Sequence, residues 1–169
     1  MSVRAWEHID TQVLAGAAAS VSFTPLSDEY RRWMLCVYAV MSVVDDAIAI
    51  RINNDSGGNY STQELKAVST VVSGSRDAAR ASILVNQNIE SALVGQAMLI
   101  ISKPTAGVVG RGTLQVSQMD NAATPAITLL TYAVEWTNTA DLINRLDVLT
   151  NAGNNFAAGT RVVLFGARR

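Results

Sequence analysis

A single antiparallel β-sandwich is the fold this sequence predicts, and three observations carry the prediction. Apolar and polar residues alternate with period two in several short runs. Clusters of Gly, Pro, Asn, Asp and Ser punctuate those runs. The chain has 169 residues, 49% of them apolar, which supplies one core and is short for two.

The strands follow in chain order. In ASVSFT, Ala19, Val21 and Phe23 share one face, while Ser20, Ser22 and Thr24 share the other. RWMLCVY, residues 32–38, is apolar almost throughout and reads as a more deeply buried strand. In AIAIRIN, Ile48, Ile50 and Ile52 point one way and Arg51 the other. AMLIIS, residues 97–102, again reads as deeply buried. In GTLQVSQ, Leu114 and Val116 alternate with Thr113, Gln115 and Ser117. In LTYAVEWT, Leu130, Tyr132, Val134 and Trp136 alternate with Thr131, Ala133, Glu135 and Thr137. TRVVLFG near the end is rich in β-formers. Turn signals fall at 24–29, 53–59, 103–107, 119–125 and 151–155. Many short strands with such punctuation predict a sandwich or barrel.

The middle of the chain leaves alternatives open. TQELKAVSTVV fits a helical turn or a strand, and SRDAARASILVNQNIESALV has spacings that also allow a helix. No repeat and no linker divides the sequence, so residues 1–169 are expected to form one domain with a short N-terminal arm at about 1–10.

Charge and cysteine content exclude several classes. Formal net charge is −1 and no basic stripe is present, so nucleic-acid binding lacks its electrostatic footprint. Charged residues are only 16%, which suits a surface covered by a partner. Cys36, the one cysteine, lies among apolar residues and is expected to be a buried, inert thiol. The apolar run at 33–44 is too short to span a bilayer, and Glu7, His8 and Asp10 interrupt any signal-like segment. No membrane partner is expected.

RINNDSGGNY, residues 51–60, is the strongest local motif. Counting Asn53 as position 1 of a twelve-residue calcium loop puts Asp55 at 3, Gly58 at 6 and Glu64 at 12. Position 1 is Asn instead of Asp, and position 5 is Gly57, which has no side chain. The isoleucines before it alternate as a strand where a helix is required. A phosphate loop would need a lysine at the helix start, and none occurs before Lys66. A tight polar turn explains the same residues, with Gly57 and Gly58 supplying positive φ.

Catalytic chemistry is poorly supplied. His8 is the only histidine and lies near a terminus, so Ser-His-Asp and Cys-His machinery would both have to use it, and a zinc site with several His or Cys ligands cannot be built from one of each. Asp45 with Asp46, and Asp28 with Glu29, are adjacent pairs that face opposite sides of a strand. The expectation is no enzyme, no catalytic residue, no metal and no cofactor. Trp136 shares a face with Val134 and Tyr132 and is expected in the core, whereas Trp6 has polar neighbours and suits an interface.

Three stretches carry a resemblance. They are SVSFTPLSDEYRRWML, IAIRINNDSGGNYS and the tail WTNTADLINRLDVLTNAGNNFAAGTRVVLFGARR. In this order they resemble small virion structural proteins of tailed bacteriophages, used as capsid decorations, head fibres or tail appendages. Asn53, Asp55, Asn59 and Tyr60 match the central loop, and Asn155, Phe156, Gly159, Leu164 and Gly166 match the tail. The closing aromatic, often Tyr in such sequences, is Phe165 here, and residues 62–94 match nothing in the pattern. The resemblance implies a jelly-roll-like sandwich in a virion, often a homotrimer, with the 53–60 and 155–159 loops at its rims. Partners would be further copies and other virion proteins such as the major capsid or tail proteins. The function implied is capsid decoration. The alternative is a tail-tip or tail-fibre module that binds a host surface glycan.

Overall fold

The computed structural model describes residues 6–42, 45–68, 70–89, 94–119 and 127–168. Among them are twelve strands and no helix. The strands are β1 (Glu7–Val13), β2 (Ser20–Phe23), β3 (Tyr30–Val40), β4 (Asp46–Ile52), β5 (Tyr60–Val68) and β6 (Val71–Arg80). They continue as β7 (Ile83–Ile89), β8 (Val94–Ser102), β9 (Gly110–Met119), β10 (Ile127–Trp136), β11 (Leu146–Thr150) and β12 (Arg161–Arg168). One sheet has eight strands in the order β1-β12-β3-β8-β9-β10-β5-β6, and the other has four in the order β2-β11-β4-β7. Every pairing is antiparallel.

The fold is thus the all-β sandwich that the alternation predicts. β1 pairs with β12 and β2 with β11, so the two ends of the chain run side by side across both sheets. This rolled pairing gives the sandwich its jelly-roll-like character. The alternating faces meet as expected: Val21 and Phe23 of β2, Ile48, Ile50 and Ile52 of β4, and Leu130, Tyr132 and Trp136 of β10 are all buried in one core cluster. Each burial removes apolar area from water at about 25 cal/mol per Å2, the main force holding the sheets together.

Four points of the sequence reading are resolved or revised. The segment 62–94, left open between strand, loop and helix, forms β5, β6 and β7 over its described part. β5 pairs residue for residue with β10 from Tyr60 to Val68, and that ladder overrides the helix-compatible spacing of TQELKAV. Residues 7–10, expected in an arm, belong to β1 and pair with β12. The third revision concerns the apolar runs in β3 and β8. They are buried on one side only: Trp33, Leu35 and Val37 face the core, while Met34, Cys36 and Tyr38 face outward. Cys36 is accordingly half-buried on the outer face, where burial raises its thiol pKa. The fourth is the source of positive φ in the 53–60 loop, described below. The turn signal at 119–125 lies outside the described residues beyond Met119.

Candidate functional site

The 53–60 loop joins β4 to β5, so its ends are fixed by both sheets. Asn53 and Asn54 adopt φ of 56° and 54°, so these asparagines, not the glycines, take the left-handed conformation. Asn53 is held there by its side chain. Its Nδ2 donates to the Leu142 carbonyl at 2.6 Å, and its Oδ1 accepts the Asn144 and Arg145 amides at 2.9 and 3.1 Å. Gly57 serves a different need. A Cβ there would meet Asn59 Nδ2 at 3.0 Å and Asp55 Oδ1 at 3.1 Å.

Asp55 is the centre of the loop. Its carboxylate accepts Trp136 Nε1–H at 2.8 Å, Asn59 Nδ2–H at 2.9 Å and the Gly57 amide at 2.9 Å. Partial burial opposes its ionisation, but these three donors prevail and hold the carboxyl below its ordinary pKa. Tyr60 is fully buried. Its hydroxyl accepts the Ile52 amide at 2.9 Å and shares its proton between the Ile52 and Asp55 carbonyls, each 3.1 Å away. Burial, and then the Asp55 charge, push that hydroxyl well above its ordinary pKa.

Beneath the loop, Lys103 is buried with Nζ 4.5 Å from the Trp136 ring centre and bonded to the Asn138 carbonyl. Burial lowers its pKa, and the Asp141 charge partly restores it. The motif therefore spends its polar groups internally. Asp55 has three donors and Asn53 three partners, so the carboxylate and amide a cation would need are already engaged. Glu64, position 12 of the calcium count, lies on β5 and is buried.

The other candidate residues are dispersed. His8 is exposed on β1, bonded to Thr11 at 2.8 Å and edge-on to the Phe165 ring at 5.6 Å. Asp46 is buried, and its carboxylate accepts the Ala47 amide at 2.7 Å and the Ala152 amide at 3.0 Å, fixing the 151–155 turn. Its neighbour Asp45 is exposed. Asp28 and Glu29 are both exposed in the loop before β3. Trp33 and Trp136 are core residues, and Trp6 is half-buried. In the tail, Phe156 is fully buried and bridges the Ala18 and Met41 backbones, while Gly159 adopts φ of 86°. Among the described residues, no three His, Cys, Asp or Glu side chains converge to hold a metal ion.

What the sequence reading missed is the outer face of the eight-stranded sheet. Leu65 and Leu129 are 56% and 53% exposed there, with Val72 at 66% on the neighbouring strand. A depression of about 250 Å3 lies beside them, lined by Tyr38, Met98, Gln115, Ser117 and Leu129. The signal was available: β3 and β8 are apolar at consecutive positions, not alternate ones. Comparison of the chain with protein-family models and with curated proteins gave no match.

Proposed function

We propose that this chain is a non-enzymatic structural protein of a tailed-phage virion, a capsid decoration subunit that assembles as a homotrimer. The observation that carries the reading is the apolar outer face of the eight-stranded sheet. Antiparallel sheets that end at water normally turn a polar face outward, and contiguous exposed apolar surface marks an interaction site. The site chemistry supports the same reading, because the loop richest in polar residues builds the fold with them.

A decoration subunit acts by burying surface across a lattice, which stabilises the particle by mass action. The glycan-binding alternative would need an exposed ring for stacking; Tyr60 and Trp136 are committed to the core, which leaves Tyr38 on the outer face and the half-buried Trp6 to supply it. Electron microscopy of particles carrying and lacking this chain is the test. The reading expects added density at regular capsid positions and particles that lose resistance to heat without it. Identical maps would refute it.

A further inference from the structure

We propose that the outer face of the eight-stranded sheet is a self-association surface, covered by a second copy of this chain. The inference rests on the structural-subunit reading above and identifies the contact it uses. It starts from the sequence of the strands. Strands that are apolar at consecutive positions are those buried on both faces. β3 runs Trp33-Met34-Leu35-Cys36-Val37-Tyr38, and β8 runs Ala97-Met98-Leu99-Ile100-Ile101. The chain covers only their inner faces, so half of this pattern has no use within one molecule.

The register defines the extent of the uncovered face. One row crosses from Thr11 to Gly74 through the buried Val163 and carries Cys36, Met98, Gln115, Thr131 and Leu65, without a charged residue. The row to one side runs from Val13 to Val72 through Tyr38 and Leu129, and its one charged residue is Arg161. The row to the other side carries Phe165, Met34, Ile100 and Ala133, and ends at Arg76. Rows about 6.8 Å apart and strands about 4.8 Å apart make this field roughly 750 Å2 per copy. A specific protein interface needs about 800 Å2 from each partner.

The relief of the face selects a second copy as the occupant. β9 turns Thr113, Gln115 and Ser117 outward, so a shallow trough separates two apolar ridges. The trough holds the 250 Å3 depression bordered by Tyr38 and Met98. The ridge over β10, β5 and β6 projects Leu129, Leu65 and Val72. One molecule thus carries both a hollow and an apolar ridge of the kind that fills one. A contact between different patches of identical subunits is heterologous, and such contacts form a ring where the rotation closes and a filament where it does not.

Sedimentation of the full chain tests this, with Leu65→Glu and Val72→Glu as variants and Cys36 thiol labelling as a second readout. Both substituted side chains are more than half exposed, so the variants should keep the native circular dichroism. Each should weaken association at least about thirtyfold, the fold-change that corresponds to the ~2 kcal/mol of a hot-spot residue. Cys36 borders the same depression, so its thiol should label slowly in the native oligomer and faster in both variants. A native oligomer whose mass and labelling rate survive both substitutions would overturn the inference and leave the virion reading standing. A native chain of 18.0 kDa at high micromolar concentration would overturn the inference as well. Absence from purified particles bears on the virion reading alone.

Discussion

Replacing Trp136 separates packing from hydrogen bonding in the loop that the sequence marks most strongly. Trp136 is fully buried, and its indole N–H donates to Asp55 at 2.8 Å. Trp136→Ala removes both and leaves a cavity, for which the expected cost is about 3–5 kcal/mol. Trp136→Phe keeps much of the ring and removes the donor. A hydrogen bond to a charged group contributes about 1.5–3 kcal/mol, and the lower end applies because Asp55 is partly solvent-exposed.

The two substitutions also differ in their pH dependence. The folded pKa of Asp55 is depressed, so its contribution is present above the unfolded value of about 3.9 and is lost as pH falls through the folded value. Without the indole donor the depression shrinks. Trp136→Phe should therefore lose less stability than the native chain between about pH 7 and about pH 3. Urea unfolding followed by circular dichroism, at one fixed protein concentration, measures both effects. A Trp136→Phe variant within about 0.5 kcal/mol of native at neutral pH would refute the role given to the Asp55 bond. So would an acid limb parallel to that of the native chain.

Three further outcomes are expected. Calcium calorimetry should show no binding below millimolar concentration, since Asp55 and Asn53 are engaged; a micromolar site would mean the loop rearranges around an ion. Val21→Glu puts a carboxylate into the core and should abolish the native circular dichroism; a native spectrum would show that the core accommodates the charge. Gly112→Ala should destabilise by about 1–3 kcal/mol or more, because its Cβ would overlap the Ile100 carbonyl and lie 2.9 Å from Ile101 Cα; an unchanged urea midpoint would show that β8 and β9 can part at little cost.

The fold was legible where alternation was clean. Ile48, Ile50 and Ile52, and Leu130 through Trp136, declare a buried face by period two, and that face is buried. β5 and β6 were harder. Ser75-Arg76-Asp77-Ala78-Ala79-Arg80 lies on a strand exposed at nearly every position, so no buried face imprints a period on it. The 53–60 loop was legible as a turn, but not its mechanism. The partners of Asn53 lie some 90 residues away, at Leu142, Asn144 and Arg145, and no local pattern encodes them. Glycine chemistry suggested that Gly57 and Gly58 carry the positive φ. Asn53 and Asn54 carry it instead, because distant backbone groups satisfy the Asn53 amide in that conformation. The outer face was encoded in the consecutive apolar residues of β3 and β8. A double-sided pattern reads as deep burial, and only the structure shows which side the chain itself leaves uncovered.

Quantitative mass spectrometry of gradient-purified particles tests the proposal that this chain is a structural component of a virion. The chain should co-purify with the major capsid protein in a fixed ratio, at a copy number divisible by three. It should survive repeated banding and leave only when the particle is disrupted. A chain recovered only in the soluble fraction, or at a trace ratio that falls with each gradient, would rule out a place in the virion.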